Sequence, residues 1–141
     1  MTPQTFTALC LCIGILLTGC EKPIDASASA DEVAIAFFDR LYNQRKFDQA
    51  LALTTHEYKA VLERYGTINA ASRYLFNMNY DEVVIEADSR GMSLYRERAD
   101  TARLQLSFNG SRYDQRVETL RDVVLVRENG QWRVAKVMDV L

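Results

Sequence analysis

Of the residue types most specialised for nucleophilic and metal chemistry, the 141-residue chain has one histidine and three cysteines. His56 is the single histidine, so no metal can be shared between two imidazoles, and a serine–histidine pair would lack any Gly-x-Ser-x-Gly elbow. It follows Thr54-Thr55 in the first turn of an expected helix, with no second histidine or cysteine ligand beside it, so a solvated surface role is expected. Cys10, Cys12 and Cys20 all fall within the first twenty residues, which leaves the rest of the chain without a thiolate for zinc or for a disulfide. Gly66, Gly91, Gly110 and Gly130 are widely separated, each at an expected turn or helix end, so no phosphate-cradling loop is expected. No metal and no cofactor is expected.

Charge is the remaining chemistry. The whole chain has 17 Lys/Arg against 19 Asp/Glu, too balanced to draw in nucleic acid. Residues 20–89 nevertheless carry 7 cations and 12 acids, whereas residues 90–141 carry 10 and 7. Nine of those ten cations are arginine, the side chain suited to forked contacts with carboxylates. An acidic partner protein docking on this half, through Arg103, Arg112 and Arg116, is therefore expected.

The elements that must position these residues change period near Asp81. Ser29-Ala30-Asp31-Glu32 fits a capping box, followed by a helix over 31–44 whose apolar face is Ala34, Phe37, Phe38, Leu41 and Tyr42. Phe47 to Leu53 reads as a short helix, Thr54-Thr55-His56-Glu57 as a second capping box for a helix ending near Gly66, and 68–76 as a further helix. Beyond Asp81, strands are expected over 82–87, 92–97 and 101–108. Asn109-Gly110 has the composition of a type I′ hairpin, which would set Leu106 opposite Tyr113 and Arg103 opposite Arg116. The alternation lapses over Glu118–Asp122, which suggests a bulge, and resumes over Val123–Val126 and Trp132–Val140. The expected fold is α+β: N-terminal helices packed on a strongly bent antiparallel sheet.

Ahead of this domain, Ala8 to Leu17 is apolar and uncharged but only half as long as a bilayer-crossing helix, the pattern of a signal-peptide core. Leu17-Thr18-Gly19-Cys20 then resembles the lipobox of bacterial lipoproteins. That resemblance implies cleavage before Cys20, acylation of its thiol, and a membrane partner reached through acyl chains. Residues 1–19 are read as signal peptide, 20–30 as acylated cysteine and flexible tether, and 31–141 as one domain. Glu21, where aspartate would signal inner-membrane retention in enteric bacteria, favours the periplasmic face of the outer membrane.

Two stretches of the domain, Phe38 to Leu53 and Val124 to Val134 with its Asn-Gly turn and Trp-Arg-Val, resemble the nuclear transport factor two-like (cystatin-like) superfamily. The resemblance implies a cone-shaped fold whose open end can hold a ligand, lined by Phe38, Tyr42, Tyr113 and Trp132, and a homodimer through the exposed sheet. An isomerase of that superfamily would need an inward carboxylate with a tyrosine or acid donor. Tyr42, Tyr113 and Asp114 are of the right type but match no catalytic motif, so no catalytic residue is assigned. A membrane-anchored, non-enzymatic binding or envelope-assembly module, including an immunity-type inhibitor, is the expected function. The alternative is a small-ligand-binding or isomerase-like enzyme; a cone plugged by Phe38, Tyr42 or Trp132 would favour the former.

Overall fold

The computed structural model describes residues 24–87, 96–97 and 99–140. The chain is seated on the domain from Ile24 onward: Ile24 and Ala28 pack against the core, and Asp25 closes a turn by accepting from the Ser27 and Ala28 amides. Helix α1 (Ala30–Tyr42) begins as its composition requires, with the Ser29 amide donating to Glu32 Oε2 at 2.8 Å and Asp31 and Glu32 at the positive end of the dipole. Its buried stripe comprises Val33, Ala34, Phe37, Phe38, Leu41 and Tyr42. Helix α2 (Phe47–Leu51) follows, then α3 (His56–Glu63), which starts one residue later than the expected box. Its cap is Thr55, whose Oγ1 accepts from the Tyr58 amide at 3.1 Å. Helix α4 (Ile68–Ala70) widens into a π turn over Ala71–Leu75.

The strands are β1 (Glu82–Ala87), β2 (Arg96–Glu97), β3 (Thr101–Arg112), β4 (Gln115–Glu128) and β5 (Gln131–Asp139). They form one antiparallel sheet in the order β1-β3-β4-β5, with β2 paired to β3 beyond β1, and the sheet does not close. Ala102, Leu104, Leu106 and Phe108 face the helices together with Val123, Leu125 and Val134. The expected turn over 88–91 and the start of the expected strand at 92 lie outside the described residues; β2 is the described part of that strand.

Two sheet expectations are corrected. Strand β3 runs straight through Asn109-Gly110 and turns instead at Tyr113-Asp114, both in the left-handed region with φ of 50° and 60°. Gly110 serves close approach rather than a turn. A Cβ there would meet Glu82 O and Tyr80 Cδ1 at 2.6 Å, so glycine lets β1 and the Tyr80 ring come up to the ladder. The β3–β4 ladder is consequently displaced by eight residues, Leu106 opposing Arg121 and Arg103 opposing Val124. Because the displacement is even, every side chain keeps its expected face. Turning at Tyr113-Asp114 brings Val123 and Leu125 opposite Leu104 and Ala102, where the core needs them. The expected bulge over Glu118–Asp122 is absent, and the irregularity falls at Val124/Leu125, where β5 supplies an extra residue, Ala135.

Candidate functional site

The space between α1 and the sheet is filled with rings. Phe38 packs edge-on against Phe37, Phe76 and Phe108, with centroids at 4.8, 5.8 and 4.8 Å, and stacks with Tyr42 at 6.2 Å. Tyr80 meets Tyr42 at 5.3 Å and stacks on Phe108 at 6.3 Å. These contacts convert the amphipathic face of α1 into a plug, each aromatic pair adding about 0.5–1.5 kcal/mol beyond the area it buries. Tyr42 donates to Met78 O at 3.3 Å, and burial pushes its hydroxyl well above the ordinary phenol range. Burial also raises Tyr80; its hydroxyl lies beside Thr119 and the Ser72 Oγ beside the Tyr42 hydroxyl, neither in good hydrogen-bond geometry among the described residues. The Arg121 guanidinium lies near Tyr42, held by Phe76 O at 3.0 Å and Asp139 Oδ1 at 3.3 Å.

The four residues expected to line one pocket are dispersed. Phe38 and Tyr42 belong to the plug. Trp132 is buried at the start of β5 under the Arg127 guanidinium, 4.3 Å from its ring centroid, where it borders a small cleft of 180 Å³ with Ile24, Arg40 and Arg133. Tyr113 sits at the β3–β4 hairpin tip, 77% exposed, with Arg112 5.2 Å from its ring centroid. Asp114, beside it in the turn, is exposed and faces no cavity.

The arginines are also rearranged. Arg103 and Arg116 are not opposed; they lie near opposite ends of the ladder. Arg103 Nε donates to Asp122 Oδ2 at 3.1 Å, its Nη2 bonds the same oxygen, and Gln105 Nε2 reaches Oδ1 at 3.3 Å. Asp122 is buried to 7% exposure beneath these partners. Arg116 pairs with Glu118 two residues along at 2.6 Å, both well exposed. Arg112 and Arg116 thus remain near the hairpin tip, while Arg103 is committed to the sheet.

The Arg121–Asp139 pair is set by the β4–β5 register with its one-residue shift at Val124/Leu125, and Ser72 and Tyr80 lie on other elements, so neither feature had a sequence signal. A third feature lies at the same end of the sheet. Strand β5 pairs with β4 only from Arg121 to Glu128, so Gln115–Leu120 is an open edge. Beside it runs a groove of 790 Å³ lined by Ser107, Asn109, Glu118, Leu120, Asp139 and Val140, among others. Among the described residues no helix is long and apolar enough to cross a membrane, and no three His, Cys, Asp or Glu side chains gather as a metal site.

No family model matches the chain, and no curated protein does. Two solved structures share its fold. One is a SEC-C motif containing protein from Rhodopseudomonas palustris, similar with a TM-score of 0.61 at 11% identity over 83% of each chain. The other is a designed nuclear transport factor two-like protein, with a TM-score of 0.53 at 10% identity over 76% of this chain and 93% of that one. The expected α+β architecture and the nuclear transport factor two-like fold are therefore shown.

Proposed function

We propose that the chain is a lipid-anchored protein of the periplasmic face of a bacterial outer membrane, acting as a non-enzymatic binding or envelope-assembly module of which an immunity-type inhibitor is one form. The anchor rests on Leu17-Thr18-Gly19-Cys20 after an apolar run. Ile24, four positions after Cys20, already packs on the core, so the domain would be held within about 14 Å of the acylated residue. The observation that carries the binding role is the aromatic plug, Phe38 and Tyr42 occupying the place where a ligand of this fold would need space. Recognition then falls to the outside of the sheet, where Arg112, Tyr113 and Arg116 at the hairpin tip offer charge and an aromatic face to an acidic partner.

The test is metabolic labelling with a palmitate analogue in a bacterial host. The chain should take up label and sediment with outer membranes, and Cys20→Ala should lose both properties. An unlabelled wild-type chain would overturn the anchor, and an envelope pull-down unaffected by Arg112→Glu together with Tyr113→Ala would overturn the tip as the partner site.

A second reading, a small-ligand protein, has one observation in its favour: the buried hydroxyls of Ser72, Tyr42 and Tyr80 gather near Arg121. Native mass spectrometry separates the two readings, because a retained ligand adds mass to the folded chain and a plugged core leaves the polypeptide mass alone.

A further inference from the structure

Every sheet edge needs a partner, a cover or a charge to keep its main-chain groups from pairing with another chain. On the outer side of β1 the main chain of Val83 is covered by Asn43, whose Nδ2 donates to Val83 O at 2.9 Å while its Oδ1 accepts from the Val83 amide at 3.3 Å. On the outer side of β5 the main chain of Val134 is covered by the segment before α3, with Thr55 N donating to Val134 O at 2.9 Å and Val134 N to Leu53 O at 2.8 Å. The tip of β4 is different. Over Gln115–Leu120 the side turned away from β3 has no main-chain partner among the described residues.

We propose that this edge pairs antiparallel with the same edge of a second copy of the chain, joining two sheets across a two-fold axis at Val117. The charge pattern selects the register. In a two-fold antiparallel pair the central residue opposes itself. Centring on Arg116 or on Glu118 sets like charges face to face, which is unfavourable. Centring on Thr119 drives Val117 against the partner's Arg121, whose edge is already taken by Asp139, and centring on Gln115 runs into the Tyr113-Asp114 turn. Centring on Val117 opposes each Arg116 to the partner's Glu118, so the intrachain pair becomes an alternating quartet. The pairing then spans Gln115–Thr119 and stops short of the Arg121–Asp139 pair.

The exposed apolar side chains agree with this register. Five large hydrophobic residues are exposed among the described residues, and three of them, Tyr113, Leu120 and Val140, flank this edge. The two-fold axis brings Tyr113 level with the partner's Leu120 and Arg121, so each hairpin tip meets the groove of the other copy and the three apolar residues are covered twice over. The association requires nothing of Cys20, so it stands or falls independently of the acylation; because it occupies Tyr113 and Arg116, a second copy and an acidic partner at the tip are alternative occupants of one surface.

The test is light scattering on the full chain in detergent micelles, corrected for bound detergent, over a dilution series. The polypeptide mass should be that of a dimer. Arg116→Glu alone, and Glu118→Arg alone, should each weaken the dimer by about tenfold or more, since each places two like-charged pairs across the axis. The double reversal, R116E with E118R, should restore it, because the opposed charges are again unlike. Glu118→Pro, which removes an amide directed at the open edge, should give monomer. Circular dichroism confirms that each variant is folded before its mass is read. A monomer at every concentration, a dimer that the single reversals and Glu118→Pro leave intact, or a dimer broken by Val84→Glu on the sheet face instead would overturn the proposal.

Discussion

Arg103 and Arg116 lie on the same face of the same sheet and carry the same charge, yet their partners make them unequal. Arg103 is half-exposed, but the carboxylate it holds, Asp122, is buried and also accepts from Gln105. Reversing Arg103 leaves Asp122 without its cation and sets a second carboxylate beside it. Arg103→Glu should lower stability by about 1–3 kcal/mol, the solvent around Arg103 reducing what a fully buried pair would lose. Arg116→Glu disturbs only an exposed pair and should stay within about 0.5 kcal/mol in dilute solution. Urea unfolding at equilibrium distinguishes them; equal losses from the two variants would show that burial of Asp122 is irrelevant. Residue type marked both arginines as unusual. The partner of Arg116 was within reach, since Glu118 lies two residues along the same strand, but that of Arg103 was not, since Asp122 comes beside it only through a ladder register set by a turn that composition misplaces.

The elements were legible where a local rule and a tertiary demand agree. Ser29 and Glu32 begin α1 where the capping pattern says, and the stripe from Ala34 to Tyr42 is the face that meets the sheet. The rules diverge at Asn109-Gly110. That pair is the preferred hairpin composition, but turning there would strand Val123 and Leu125 beyond the core, and the ring of Tyr80 takes the space that Gly110 leaves. The chain accepts two non-glycine residues at positive φ, at Tyr113 and Asp114, in exchange for that burial. The covering of β1 was equally invisible, because Asn43 lies forty positions from Val83. With two hydrogen bonds to the main chain of Val83, its side chain stands in for a strand. Asn43→Ala should therefore cost about 1–2 kcal/mol and speed amide exchange at Val83 more than at Leu104 in the centre of the sheet. Uniform acceleration across β1 and β3 would show that Asn43 acts on the whole fold and not on the edge.

For the whole molecule, the order of helices followed by strands was readable from the change of period near Asp81, and the fold it implies is the one shared with the two solved structures. The filling of the cone was not, because aromatic residues at helical spacing serve equally to line a cavity or to close it; only Phe76, Tyr80 and Phe108, arriving from other elements, decide for closure. That closure has a thermodynamic consequence. Burial raises the phenol of Tyr42, and it does the same to Tyr58 under the β5 side of the sheet and to Tyr80. A folded-state value above the unfolded one favours the protonated fold. The stabilisation is complete below the unfolded tyrosine value of about 10 and drains away as pH climbs through and beyond it, since the unfolded chain then sheds protons that the folded chain retains. The melting temperature should hold between about pH 6 and 8 as far as these groups are concerned and fall steeply above about pH 10, with phenolate absorbance from the three buried rings appearing only together with unfolding. Replacing Tyr42 and Tyr80 by phenylalanine should lessen the alkaline fall, leaving only the part due to Tyr58, because the plug then has no hydroxyl to ionise. An unchanged alkaline slope in that double variant would mean that the plug is open enough for water to reach both hydroxyls in the folded state.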